Sequence, residues 1–184
     1  KVQNIGGRAD CQDDYETFSI MRKAQYMLWS KEMLESFYDD LITARDKGWN
    51  LITEKYARMM QSTNPLEYAR LENDLPVINE DRIKIQEEII KIQVGWMEDF
   101  AKLYPKLSGN MRTIHTSSDT SFNTSYETYL RGELCTYSEK TMILYASFII
   151  GLLNAGRNLA IEVMGNTAKL YGFDSLLEAE QKQS

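Results

Sequence analysis

Two cysteines and one histidine are spread over 184 residues, and that scarcity removes most metal chemistry. A di-iron bundle site needs Glu-x-x-His on two helices, which one histidine cannot supply. A zinc site with Cys and His ligands is short of ligands too, so we expect no metal and no cofactor. Cys11 and Cys135 are too few for a disulfide framework, so the expected compartment is a reducing cytoplasm. Three prolines and ten glycines are too few for a linker-rich chain or a many-turned β fold. The longest apolar stretch, 142–153, falls short of the roughly 20 residues that a bilayer span needs, and we expect no membrane association. Positive charge is also short: 21 Lys and Arg against 27 Asp and Glu leave a net charge of −6. That balance argues against a general binder of phosphate backbones, so nucleic acid is not an expected partner. The chain has neither a glycine-rich phosphate loop nor a Gly-x-Ser-x-Gly elbow.

What the chain has is helical periodicity. Over 15–29, Phe18, Met21, Ala24, Gln25 and Leu28 recur at three- and four-residue spacings. Over 31–47, Leu34, Phe37, Tyr38, Leu41 and Ile42 form one stripe, and Gly48 supplies a C-terminal stop. A further helix is expected over 49–60. Asn64-Pro65 then starts a short one, with proline at the first helical position. Pro76 breaks it, a long amphipathic helix follows over 80–103, and Pro105 closes that. Residues 108–123 read as a loop. Helices resume over 125–137 and 139–171, with a Ser175/Glu178 capping box before a last short one. No stretch alternates as a strand does. The expected fold class is all-α.

An internal repeat organises this pattern. Asp13-Asp14-Tyr15-Glu16-Thr17-Phe18 matches Thr124-Ser125-Tyr126-Glu127-Thr128-Tyr129, and Gly48-Trp49-Asn50-Leu51 matches Gly156-Arg157-Asn158-Leu159. Trp29-Ser30 matches Tyr137-Ser138, and Glu54 matches Glu162. We therefore expect a single domain, a helical bundle of two pseudo-symmetric units at about 13–60 and 124–171, joined by linking helices at about 64–104. Each unit carries an apolar stripe that it cannot bury alone. The long helix before the second unit has no counterpart before the first, so a preceding helix is expected upstream of Lys1. Asp13 with Glu16, and Thr124 with Glu127, read as capping boxes rather than as a catalytic carboxylate pair. The helix after Ser138 is apolar nearly all round, so it should be enclosed as the central helix. The rival reading makes its outer face an oligomer interface.

Several stretches also resemble a known family. Cys11-Gln12-Asp13-Asp14, Thr53-Glu54-Lys55-Tyr56-Ala57-Arg58-Met59-Met60, Gln93-Val94-Gly95-Trp96-Met97-Glu98 and Thr128-Tyr129-Leu130-Arg131-Gly132-Glu133-Leu134 are similar to the bacterial domain of unknown function four thousand one hundred and twenty-five. The resemblance covers essentially the whole chain. It implies a bacterial, cytoplasmic protein and carries over no catalytic residue, substrate or cofactor.

Candidate chemistry comes from the repeat. Setting Arg8 against Arg112 places Cys11 opposite His115. If the two loops share a mouth, a thiol and the single imidazole meet between two guanidiniums. An imidazole or an arginine lowers a thiol pKa and so activates the nucleophile. In that reading Cys11 is the nucleophile or a polar contact, and His115 the general base. Glu54 and Glu162 support the site from behind or act as acid/base groups, and Arg8, Arg112 and Arg131 clamp an anion. The bland alternative is a buried thiol before a cap and a locally bonded loop histidine. A second set comprises Asn50, Glu54, Lys55, Arg58, Arg131, Glu133, Asn158 and Glu162 on otherwise apolar helices. Buried charges persist when paired, so a structural network is expected first. A ligand pocket between the halves, lined by Arg58, Arg131, Asn50 and Asn158, is the second expectation. The function expected on balance is binding of a small polar or anionic metabolite in that cleft, with acid/base or thiol chemistry as an open extension. The alternative is a non-catalytic interaction module, such as a homodimer formed through the apolar second-half helix.

Overall fold

The computed structural model describes residues 14–183. Among these, ten α-helices and two short 3₁₀ turns account for all regular structure, and no strand is present. The order is α1 (Tyr15–Tyr26), α2 (Lys31–Asp46), α3 (Leu51–Thr63), α4 (Pro65–Leu71), α5 (Glu80–Leu103), α6 (Pro105–Gly109), α7 (Tyr126–Cys135), α8 (Glu139–Asn154), α9 (Leu159–Leu170) and α10 (Leu176–Lys182), with 3₁₀ turns at Glu72–Asp74 and Thr116–Ser118.

Short polar side chains set where the helices begin. Ser30, Asn50, Asn79, Ser138 and Asn158 each accept a hydrogen bond from a backbone N–H in the first turn. These are the groups that an α-helix otherwise leaves without partners. Glycine sets three of the stops, at Gly48, Gly156 and Gly172. Gly48 at φ 67° and Gly156 at φ 65° take the left-handed conformation. The next N–H then reaches back, from Trp49 to Ala44 O and from Arg157 to Leu152 O. That is the Schellman closure, in which a Cβ at the glycine would be strained. The expected 139–171 helix is therefore two helices, α8 and α9, bent by 97° at the Gly156 break.

Three pairings join the first three helices to α7–α9: α3 packs on α7, α1 on α9 and α2 on α8. α5, about 36 Å long at 1.5 Å per residue, lies along α7, α8 and α9. It buries Ile89, Ile90, Trp96, Met97 and Phe100 there. The core centres on Trp29, Phe37, Tyr137 and Tyr145, whose rings meet at centroid distances of 5.5 to 6.2 Å. Most of these contacts are edge-on, the geometry that ring quadrupoles favour.

The enclosure expected of α8 is only half met. Met142, Tyr145, Ala146, Ile149 and Leu152 are buried, yet Ile143, Ile150 and Leu153 are 58%, 48% and 47% exposed. The helix lies on the flank of the bundle, so its outer stripe faces solvent. No single helix among the described residues is long and apolar enough to cross a membrane; α8 and α9 reach that composition only as a bent pair.

Candidate functional site

A groove of about 860 Å³ opens between α3 and α7, floored by α5 and flanked by residues 72–78. This size falls within the range of small-molecule sites. Sequence and capping bring two arginines to it. Arg58 stands two turns into α3, on the same face as Glu54 one turn earlier. Its Nε and Nη2 donate to Glu54 Oε1 at 3.0 and 2.8 Å, and Nη2 also donates to Pro76 O at 2.6 Å. The guanidinium thus fastens the 72–78 segment to α3. Glu54 is buried, and its second oxygen accepts from Trp49 Nε1 at 2.6 Å.

Arg131 occupies the other wall. Its Nε and Nη2 donate to the two oxygens of Glu87 on α5 at 2.7 and 2.9 Å, a bidentate pair. Nη2 also reaches Glu127 Oε1 at 2.8 Å, and Nη1 reaches Thr116 Oγ1 at 3.1 Å. Glu127 returns the contact by accepting from Thr116 N at 2.9 Å. Burial pushes the Glu127 carboxyl up, but the bonds from Arg131 and Thr116 outweigh it and hold it below its usual range. The capping box expected at Glu127 is therefore replaced. The cap of α7 is Ser125, one residue later than expected, and Glu127 instead ties the loop to α7. α1 shows the same one-residue shift, with Asp14 as its cap.

Cys135 lines the groove where α7 ends and accepts a bond from Gln86 Nε2 at 3.4 Å. Burial pushes its thiol pKa up, against the Gln86 bond and the charges of Arg58 and Arg82. Burial outweighs the neighbouring arginines, so the side chain rests as a protonated thiol at neutral pH rather than an activated nucleophile.

Beneath Tyr129 lies a charge cluster that sequence reasoning found only in part. Glu133 and Lys55 are buried and bonded to one another. Arg22 from α1 adds bonds to both oxygens of Glu133 at 2.8 and 3.3 Å. Burial raises the Glu133 pKa, but the two cations outweigh it and hold the carboxyl well below its usual range. Burial lowers the Lys55 pKa to about 8, partly offset by Glu133. Lys55 Nζ also sits 3.2 Å from the centroid of the Tyr129 ring, with Arg112 over the same ring at 5.0 Å. Lys55 and Glu133 were expected in a network; Arg22 was missed. It stands at the same offset from Glu133, 111 residues, that separates Tyr15 from Tyr126, and that was the available signal.

The remaining predicted residues are dispersed. Asn50 and Asn158 cap α3 and α9, and Asn158 Nδ2 also donates to Trp96 O at 3.1 Å. Glu162 holds Arg157 through two 2.6 Å bonds on the surface. His115 is half-exposed and lies 3.0 Å from Glu98 through Nε2, beside the groove but not lining it. Arg112 donates to Thr124 O at 3.2 Å and borders a separate hollow of about 240 Å³ near Met97 and Ile114. Cys11 and Arg8 lie outside the described residues, so the Cys11–His115 pair has no geometry here. Among the described residues no group of three or more His, Cys, Asp or Glu could hold a metal ion.

No curated protein and no solved structure matches the chain in comparison. One family model does match, over residues 1–181, and its description is Protein of unknown function (DUF4125). With nearly every residue inside that match, the chain belongs to the DUF4125 family.

Proposed function

We propose that this protein binds a small polar metabolite in the groove between α3 and α7, and that these helices belong to the two halves of a duplicated module. The observation carrying the binding reading is the groove itself, with Arg58 and Arg131 at opposite walls and a thiol at one end. The duplication is supported independently. Asn50 and Asn158 are equivalent caps, Gly48 and Gly156 equivalent stops, and Glu54 and Glu162 each hold the residue just before their helix's cap. The pairings of α1 with α9 and α3 with α7 exchange under the same two-fold relation. Backbones of 14–60 and 125–168 that fail to superpose would remove it.

A thermal-shift screen against a metabolite library tests the groove. Three chains are compared: wild type, Gln61→Trp and His115→Ala. Gln61 is an exposed residue lining the groove, so tryptophan there fills the space without entering the core. Compounds that stabilise wild type and His115→Ala but not Gln61→Trp are the expected result. Compounds lost only in His115→Ala would move the site to the loop and favour the Cys11–His115 chemistry.

A second reading rests on α8. Its exposed Ile143, Ile150 and Leu153 form an apolar stripe of the kind found at contacts between chains, and the occupant proposed is a second copy of this chain.

A further inference from the structure

Resting on the groove reading, we infer that the ligand is a zwitterion with an apolar body, such as an apolar amino acid or short peptide, rather than an anion. Charge bookkeeping along the walls carries this. The ionised lining side chains are Arg58 and Arg131 against Glu72, Glu87 and Glu127, so the wall has no surplus positive charge. Arg131 is already spent: of the five N–H groups on a guanidinium, four donate to Glu87, Glu127 and Thr116. A phosphate or dicarboxylate brought to it meets two carboxylates in the same shell, and like charges at that range repel.

The two ends differ in what they offer. Arg58 uses Nε and Nη2 on Glu54 and Pro76, and its Nη1 makes no hydrogen bond among the described residues. Arg58 faces one carboxylate, Glu54, where Arg131 faces two, so with Nη1 open that end repels a single ligand carboxylate less. At the other wall Glu87 accepts one bond on each oxygen and is 45% exposed. A carboxylate has about four acceptor positions, so Glu87 retains capacity for an ammonium group. The lining also carries apolar side chains, Leu75, Val77, Ile78 and Ile83, among polar ones such as Gln61, Ser62 and Thr128. Four apolar side chains on one groove suit a ligand with an apolar body.

The test uses Cys135 as an internal reporter, in a Cys11→Ser background so that one thiol remains. Iodoacetamide alkylation of Cys135 and thermal melting are followed with four probes: leucyl-leucine, its N-acetyl form, its C-terminal amide and inorganic phosphate. The zwitterionic dipeptide should slow alkylation about tenfold when present at ten times its dissociation constant, and raise the melting temperature. Removing either charge should weaken binding about tenfold, the loss of one charge-assisted hydrogen bond. Phosphate should leave both readouts unchanged. Protection of Cys135 by phosphate or the N-acetyl form as strong as by the dipeptide overturns the ligand class while leaving the groove standing. If no probe protects Cys135 and no metabolite separates wild type from Gln61→Trp, the groove reading falls and this inference with it.

Discussion

Glu133 holds a buried negative charge between Lys55 and the partly buried Arg22. Removing that charge leaves two cations without a counter-ion in the interior, where unpaired charge costs most. Glu133→Gln should therefore lose about 3–5 kcal/mol of stability at pH 7, read by urea unfolding. The pH dependence follows from the direction of the shift. The folded carboxyl titrates below the unfolded one, so its stabilisation is complete above the unfolded value of about 4.3 and is lost as pH falls toward the folded value. The gap between wild type and Glu133→Gln should thus persist at pH 5 and narrow below about 4.3. A gap independent of pH down to 3 would show that Glu133 is not the ionised partner. The caps give a second comparison at this scale. Asn50→Ala should cost about 1 kcal/mol as a lost N-cap. Asn158→Ala should cost more, because it also strips the bond to Trp96 O that ties α9 to α5. Equal losses in thermal unfolding would argue that the Asn158–Trp96 contact contributes nothing.

Between elements, the crossing of α3 over α7 depends on a residue with no side chain. A Cβ on Gly132 would stand 2.9 Å from Lys55 O and 2.9 Å from Met59 Cγ. Met59 can shift, but Lys55 O belongs to the helix backbone and cannot. Gly132→Ala gains helix propensity of up to about 1 kcal/mol but forces the helices apart, and overpacking of this kind costs about 1–3 kcal/mol. The net expectation is a loss, with Cys135 at the end of α7 becoming more reactive to iodoacetamide as the crossing opens. This is also where sequence reading reaches its limit. Helix identity was legible because apolar residues recur at a fixed period, and Gly48 as a stop and Ser175 as a start were legible because they act on the residues beside them; the break at Gly156 was not, because apolar residues continue from α8 into α9. The pairing of Arg22 and Lys55 with Glu133 joins residues 111 and 78 positions apart, and no local spacing encodes it. The Arg131–Glu87 bond joins helices 44 positions apart. The sequence placed Arg58 and Arg131 near a cleft, but it could not show that Arg131 is already held there by two carboxylates. The Cys11–His115 proposal had only an alignment of loops behind it, and loops are where equivalent positions in a repeat diverge most freely.

For the whole molecule, the unequal exposure of α8 bears on assembly. A helix apolar on every face gains from burial on every face, at about 25 cal/mol per Å² of apolar surface removed from water, yet this bundle covers only one side of α8. A second chain pairing α8 against α8 would bury Ile143 and Ile150 from both copies through one self-complementary contact, as two-fold symmetry requires. We expect concentration-dependent dimerisation in sedimentation velocity, abolished by the double substitution Ile143→Glu and Ile150→Glu. Both side chains are about half exposed in the single chain, so the variant should keep its helical content and its melting temperature at low concentration, where wild type is also monomeric. That control separates lost assembly from lost folding. A wild-type chain that stays monomeric across the accessible range would leave the α8 stripe without its proposed occupant. The groove lies across α3, α5 and α7, away from this stripe, so ligand protection of Cys135 should be the same in the monomeric variant as in wild type.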